Sequence, residues 1–284
     1  MDINIFSQYE SDSGNLFYNH ALKSNQTSDI YEPHFHNMTE MIFFKSGNIS
    51  YFIDGKKYKL KKDMLVFTRP GNIHYLSVDG NDEYERYNIL FDEKNLPFNI
   101  FDIIPPDIDV IDFEENANIT NIFKKMDYYC EVLDGNHLNR MLTNLIEEVF
   151  YNIVIQSKNV AQSTAIQTNS IIGKAIDYIE KNLLTLNDIE EIAKELYITK
   201  SHLHHLFIKH LKMPPKKYIT IKRLTIAKRE LYSGAKATDV CAKCGFADYS
   251  AFYRAYKKQF GHSPADISSI SYTGLNSDEI IRKK

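Results

Sequence analysis

Ser201-His-Leu-His-His-Leu-Phe-Ile-Lys-His-Leu-Lys-Met-Pro-Pro-Lys-Lys-Tyr218 returns, at a constant offset of 49 residues, as Ser250-Ala-Phe-Tyr-Arg-Ala-Tyr-Lys-Lys-Gln-Phe-Gly-His-Ser-Pro-Ala-Asp-Ile267. Leu203 matches Phe252, Phe207 matches Tyr256, Lys209 matches Lys258 and Pro215 matches Pro264. A short apolar-periodic segment and a tight turn precede each copy, over Ile189 to Ile198 and over Val240 to Phe246. A short helix, a turn and a second helix with a polar outer face make a helix-turn-helix, whose second helix enters the major groove of DNA. Two copies in one chain can address two successive major-groove faces of one site. The repeat therefore predicts an all-α, DNA-binding C-terminal half.

Within that half, Asp188 and Glu191 have the spacing of a capping box, and Thr199 is placed to cap the following helix. Leu203, Leu206 and Phe207 then face inward, which leaves Lys200, Ser201, His204, His205 and Ile208 outward. In the second copy Phe252, Ala255 and Tyr256 face inward and Tyr249, Ser250, Tyr253 and Arg254 outward. Residues at the start of such a helix meet base edges, whereas lysines such as Lys209, Lys257 and Lys258 meet phosphates. Arg254 is the candidate for a bidentate contact to guanine. Pro215–Tyr232 reads as one long helix between the motifs, with Pro at a first-turn position where it costs no hydrogen bond.

Charge separates the chain at the same place. Residues 1–168 carry 14 Lys+Arg against 25 Asp+Glu, and residues 169–284 carry 20 against 12, within a total of 34 against 37. The basic half suits a polyanion and the acidic half repels one. The first third reads as strands: Met41–Lys45, Ser50–Ile53, Lys56–Leu60, Asp63–Thr68, Tyr75–Val78 and Tyr84–Phe91, separated by Ser46-Gly47, Asp54-Gly55, Pro70-Gly71 and Asp79-Gly80-Asn81. Asp54-Gly55 is a two-residue hairpin signal. Short strands this close together indicate an antiparallel barrel or jelly roll. After Pro105-Pro106 the period becomes helical over Ile119–Leu133 and Leu138–Ile155, where Leu142, Leu145, Ile146, Val149 and Ile153 form one stripe. That stripe predicts cover for a barrel face or a homodimer contact.

The expected organisation is α+β in two domains: a barrel with two helices over 1–158, a polar linker over 159–169, and a helical domain over 170–284 ending in a polar tail. No apolar run approaches the roughly 20 residues that span a bilayer, and the N-terminus has no signal-peptide pattern. Cys130, Cys241 and Cys244 are too sparse for a disulfide framework. The chain is thus expected to be cytoplasmic and free of the membrane. Cys241-Ala-Lys-Cys244 admits structural filling, redox sensing or, with two further ligands, zinc.

Two resemblances add to this reading. Arg223-Leu-x-x-Ala227-x-x-x-Leu231, then Val240-Cys-Ala-Lys-Cys-Gly245-Phe246, Phe252, Tyr256-Lys257-Lys258, Phe260-Gly261 and Ser263-Pro264 resembles the AraC family of bacterial transcription regulators. The resemblance covers about 100 residues. It implies a seven-helix unit with two helix-turn-helix motifs joined by a rigid helix, base-reading roles for Ser201, His204, His205, Tyr249, Ser250, Tyr253 and Arg254, and RNA polymerase as a partner beside the double-stranded operator. Cys241 and Ser268 depart from the family pattern, at positions where Ala and Arg are usual. His34-Phe-His36-Asn-Met-Thr-Glu40, then Gly47, then Pro70-Gly71-Asn-Ile-His74 resembles the cupin signature.

Strand alternation sends His34 and His36 to one side, the barrel interior, where Glu40 and His74 can join them. These four residues are the candidate effector site, with a metal site (three His and one carboxylate) and plain structural hydrogen bonding as the other readings. Phe67 and one of Tyr51 and Phe52 would add apolar lining, and residues 1–18 could form an arm over the pocket. The combined expectation is a regulator, more an activator than a repressor by family resemblance. A small molecule such as a sugar would control it, and no cofactor would be required. The rival is a cupin enzyme or metal sensor with Fe(II) or Mn(II), fused to a DNA-binding domain.

Overall fold

The structure, a computed structural model, describes residues 2–24, 31–79, 83–98, 103–104, 108–113, 116–156, 171–232 and 234–266. Among the described residues, nine strands form two antiparallel sheets that face each other. The larger has six strands in the order β1-β2-β8-β3-β6-β9, and the smaller three in the order β5-β4-β7. The ranges are β1 Asp2–Glu10, β2 Leu16–Ser24, β3 Thr39–Ser46, β4 Ile49–Ile53, β5 Lys56–Lys59, β6 Met64–Thr68, β7 His74–Val78, β8 Tyr84–Phe91 and β9 Val110–Asp112. All six expected strands are present. The additions are β1, β2 and β9, and β1 overturns the arm: residues 2–10 pair along β2 as an edge strand. Its pairing runs past a register shift between Ile5 and Ser7, and such an irregularity blurs the alternation that marks a strand in sequence.

Because side chains alternate along a strand, each face of the large sheet has its own core. Met41, Phe43, Leu65, Phe67, Tyr87, Ile89 and Phe91 point to the outer face. There they meet α1 (Ala117–Val132) and α2 (Gly135–Gln156). Of the two uses expected of the α2 stripe, the structure takes the barrel face and leaves none of it for a homodimer: Leu142, Leu145, Ile146, Val149 and Ile153 are all buried within the chain. Phe67 likewise packs against Phe150 instead of lining the barrel. Ile42, Phe44, Ile49, Tyr51, Ile53, Val66, Leu76 and Tyr84 point the other way and fill the space between the sheets. Tyr51 faces inward, while Phe52 stacks on Tyr75 outside.

The helical half runs α3 (Ile171–Asn182), α4 (Ile189–Glu195), α5 (Lys200–Leu211), α6 (Pro215–Tyr232), α7 (Ala237–Lys243) and α8 (Tyr249–Phe260). Asp188 and Glu191 make the expected capping box, and Thr199 accepts from the His202 N–H at 3.1 Å. Tyr218 and Ile221 of α6 belong to the core formed with α3, α4 and α5. Leu224, Ala227 and Leu231 of the same helix belong to the core formed with α7 and α8. Arg223 stands between the two cores and donates to the carbonyls of Leu183 (2.9 Å), Gly245 (2.7 Å) and Leu186. The expected linker at 159–169, Pro105-Pro106, Ser268 and the rest of the C-terminal tail lie outside the described residues.

The two halves are not separate cores. Ile73 is fully buried in the α3–α5 core, and Phe35 packs against it. At the β4–β5 turn the Asp54 carboxylate accepts from the Ile73 N–H (3.0 Å), from the Asn72 amide and from Lys222 Nζ of α6 (2.6 Å). Gly71, at φ +77°, lies so close to α6 that a Cβ would sit 2.3 Å from Thr225 Oγ1, an approach only glycine permits. A cavity of about 410 Å³ remains between the halves, lined by Asn37, Arg69, Glu93, Lys222, Arg229 and Phe260 among others.

Candidate nucleic-acid interface and effector chamber

The second helix of each motif starts at a side-chain cap, Thr199 for α5 and Asp248 for α8. Capping fixes which residues begin the helix and so which side chains occupy its outer face. Lys200, Ser201, His204, His205 and Lys209 of α5 are exposed, as are Tyr249, Ser250, Arg254, Lys257 and Lys258 of α8. Tyr253 is half-buried, beside the Tyr249 ring. Inward, Leu203 and Phe207 of α5 and Phe252 and Tyr256 of α8 are buried at equivalent positions, so the repeat is one of structure as well as sequence. Lys200 lies 2.9 Å from Glu190 and 3.5 Å from Asp188, so its ammonium already faces two carboxylates across the turn. Cys241 and Cys244 are buried free thiols in the α6–α8 core. Burial pushes both thiols up, away from the reactive thiolate.

The strand half brings together three of its four candidate residues. One ligand-type atom from each of His36, Glu40 and His74 lies within 4.8 Å of the others, and all three residues are buried. Glu40 is the first inward position of β3 and His74 the first of β7, while His36 precedes β3. The Nδ1 atoms are committed: His36 to the Met38 carbonyl at 2.8 Å and His74 to the Asn72 carbonyl at 2.9 Å. An N–H at Nδ1 leaves each Nε2 with a lone pair turned toward Glu40. Nε2 of His74 is 3.0 Å and that of His36 3.5 Å from Glu40 Oε2. Neither contact has hydrogen-bond geometry. Burial alone would raise the Glu40 carboxyl, but the hydrogen bonds and charge of the two imidazoles, when their facing nitrogens carry the proton, hold it well below the usual carboxylate range. The Tyr51 hydroxyl donates to the same carboxylate at 3.3 Å. His34 borders the triad without joining it: it is exposed, its ring makes an edge contact to His74 at 4.4 Å, and its Nδ1 faces the Glu32 carbonyl.

Lone pairs that converge on a carboxylate need a cation between them, a ring proton or a metal ion. The donor set of two imidazoles and a carboxylate fits a divalent transition metal, and the orphaned Nε2 atoms are where it would bind.

Further along the same inner face lie polar groups that sequence reasoning missed. Lys23 pairs with Tyr84 across β2 and β8, and Ala21 with Arg86, so Lys23, Tyr84 and Arg86 share the inner face. Lys23 and Arg86 are 5% and 8% exposed, which makes them buried cations. Lys23 donates to the Tyr31 hydroxyl at 3.3 Å, and its Nζ sits 4.9 Å from the centre of that ring. Arg86 donates to the Tyr84 hydroxyl. Burial and the neighbouring Arg86 both lower Lys23. Burial would raise Tyr84, but Arg86 and Lys23 outweigh it and bring the phenol below its ordinary value. Arg86 Nε, Asn88 Oδ1 and Thr68 Oγ1 are buried without a hydrogen-bond partner. The signal was the alternation in Tyr84-Glu-Arg-Tyr-Asn-Ile-Leu-Phe91, where Arg86 and Asn88 fall on one face between apolar neighbours on the other.

Comparison with known proteins finds a separate family for each half. A family model described as an AraC-like ligand binding domain matches residues 20–126, and one described as a helix-turn-helix domain matches residues 192–269. The HTH-type transcriptional activator RhaS of Yersinia pestis (strain Pestoides F) is 22% identical over 257 residues, which cover 88% of this chain and 93% of that protein. RhaS of Yersinia pseudotuberculosis serotype O:1b matches equally. Among solved structures, ToxT from Vibrio cholerae O395 aligns over 90% of this chain and 99% of that one, with 13% identity and a TM-score of 0.38.

Proposed function

Because this chain belongs to the AraC family of transcription regulators, with a DNA-binding half and a ligand-binding half, we propose that it activates transcription when a small polar molecule occupies the chamber beside His36, Glu40 and His74. The effector reading places a sugar or related metabolite there. The base-reading roles of Ser201, His204, His205, Tyr249, Ser250, Tyr253 and Arg254 belong to the same proposal, with Lys200, Lys209, Lys257 and Lys258 on phosphates. So do the homodimer, the contact with RNA polymerase and the division of the chain at 159–169. With the α2 stripe buried, the exposed apolar residues left to a dimer contact in this half include Phe6, Tyr128, Val132, Tyr151, Val154 and Ile155.

One observation carries the control: the residues beside the chamber alternate with residues seated in the DNA-binding half. His36 and His74 turn toward Glu40, while their neighbours Phe35 and Ile73 pack in the α3–α5 core. Asp54, whose neighbour Ile53 fills the sheet interior, binds Lys222 of α6. A ligand that shifts the 34–36 and 72–74 segments therefore acts on α3 and on the helix that spaces the two motifs. Control requires only that the ligand bind one arrangement of the halves better than another. The expected signature is separation of binding from response. Replacing His36 and His74 by Ala should abolish inducer response in a promoter-fusion assay and leave operator binding near wild type. Phe35→Ala should keep ligand binding and lose the response. Operator binding lost in the histidine variant, or a response that survives in it, would refute the reading.

The orphaned Nε2 atoms support a second reading, in which a divalent cation occupies the triad and the chain senses metal. Protein purified without chelators would then carry stoichiometric iron, manganese or zinc, and His36→Ala and His74→Ala would each lose it.

A further inference from the structure

Helix α6 presents one face to the cavity between the halves. Lys222, Thr225, Ile226 and Arg229 line it at the three-, four- and seven-residue spacings that share one side of a helix. Seven residues advance about 10 Å along the axis, so this face is long, charged at both ends and less polar between. Met38, just before β3, Leu183, just after α3, and Phe260 at the end of α8 add apolar surface. Lys222, at one end, is spent on Asp54, and Glu180 lies near it. Lys228 sits 5.2 Å from the centre of the Phe260 ring. Arg229, at the other end, is exposed and makes no hydrogen bond or ion pair among the described residues.

The strand half brings Glu93 to the Arg229 end. Arg229 is near enough to lower the Glu93 carboxyl, yet the two are not in ion-pair contact. The Thr39 hydroxyl donates to Glu93, and Arg69, the other cation near it, is held by Asp109 at 3.0 Å. Burial, with Asp92 beside it, outweighs these groups and leaves the Glu93 carboxyl above its ordinary value. A half-buried carboxyl short of a cation and an arginine short of an anion therefore share one cavity without touching. At about 410 Å³ the cavity falls within the roughly 300–1,000 Å³ typical of small-molecule sites, and it lies, as many of them do, between domains. An anion alone would serve Arg229 and be repelled by Glu93, and a cation alone the reverse. A zwitterion serves both, its ammonium donating to the carboxylate and its own carboxylate accepting from the planar guanidinium fork.

We propose that this cavity binds an apolar α-amino acid, its ammonium on Glu93, its carboxylate on Arg229 and its side chain against Met38, Leu183 and Ile226. The site is separate from the His36, Glu40 and His74 triad and does not depend on the effector reading. It reports to the same joint, because Met38 and Asn72, both in the cavity wall, hold the Nδ1 atoms of His36 and His74 through their carbonyls. A ligand that touches both halves favours the arrangement that encloses it, and so acts on the pose of α6.

The test melts the full-length chain with L-leucine, L-methionine and L-phenylalanine, and with probes that each lack one element. Phenethylamine has no carboxylate, 3-phenylpropionate no ammonium and glycine no apolar side chain. At least one of the amino acids should raise the melting temperature, by about 3 °C at ten times its Kd, while the incomplete probes leave it unchanged. Without ligand, Arg229→Gln should melt like the wild type, since the arginine has no partner to lose, and it should abolish the shift. Glu93→Gln, whose amide oxygen still accepts from Thr39, should abolish it as well. No shift with any of the amino acids overturns the proposal. A shift with phenethylamine or 3-phenylpropionate as large as that with phenylalanine overturns it too, because only one charge is then read. So does a shift that survives both substitutions. A shift lost only when His36 and His74 are replaced would put the ligand beside the triad and equally overturn this site.

Discussion

Arg254 projects from the exposed face of α8, one turn after the Asp248 cap, while Phe252 and Tyr256 on either side anchor the helix in the core. Truncating it should leave folding intact and cost about 1–3 kcal/mol of discrimination between operator and scrambled DNA, the worth of a bidentate guanine contact. Competition binding at one salt concentration measures this; equal loss on both DNAs would reassign Arg254 to a phosphate. His20 offers a pH test. Its ring nitrogens lie 2.8 Å from Asp127 and 2.9 Å from Glu85, tying β2 to α1 and β8. Burial lowers its pKa, but the hydrogen bonds to the two carboxylates more than offset this, and the net shift is upward. A raised folded value means the stabilisation is complete below the ordinary histidine value of about 6.5 and disappears as pH climbs through the folded value. His20→Gln should therefore cost roughly 1.5–3 kcal/mol at pH 5.5 and much less at pH 9, as read by urea melts. Residue-level legibility followed pattern. The outward positions of α5 and α8 were readable from period, and His36, Glu40 and His74 from the resemblance to the cupin signature. Lys23, in a strand whose apolar alternation through Leu16, Tyr18 and Leu22 is broken by Asn19 and His20, was not.

At the scale of elements, α6 does the most. It spans two cores, and Arg223 at its middle bonds carbonyls from the α3–α4 connection and from the α7–α8 turn. That fixes the spacing of the two motifs, which must match successive faces of the groove. Gly245 takes φ +74°, and a Cβ there would lie 2.7 Å from the Leu184 carbonyl and 2.9 Å from the Arg223 guanidinium. Gly245→Ala should cost about 1–3 kcal/mol for the backbone alone and disturb the Arg223 bonds as well. The consequence is weaker binding to the two-site operator than to either half-site, which a footprint over both halves would reveal; undiminished protection of both would count against a spacing role. Helices in this half were legible because caps, period and proline agreed, down to Pro215–Tyr232. The α2 stripe was legible as a helix but not as to its partner. Periodicity says that a face is buried, and the number of strands behind it, with β1, β2 and β9 unrecognised, decides how much surface it must cover.

Across the whole molecule, the joint between the halves is where sequence is silent. Asp54 and Lys222 meet at 2.6 Å across 168 residues of chain, and no local pattern encodes such a pair. Both side chains are buried, at 2% and 13% exposed. Removing one member strands the other, a loss of about 3–5 kcal/mol for a buried pair. Lys222→Met should accordingly destabilise the full-length chain. It should leave residues 169–284 alone unchanged, since Asp54 is absent from that fragment. The fragment itself is expected to fold and to bind DNA with an affinity that drops steeply between low and high salt, because its 20 Lys+Arg against 12 Asp+Glu displace counterions from the phosphates. It should melt below the full-length chain, having lost Ile73 and Phe35 from its α3–α5 core. A fragment that is unfolded would mean that the barrel completes that core and is not merely docked on it. A fragment whose DNA affinity ignores salt would remove the electrostatic argument instead. Should both expectations hold, the barrel adds no DNA contact of its own, and ligand control has one route left: the grip of Phe35, Ile73 and Asp54 on α3 and α6.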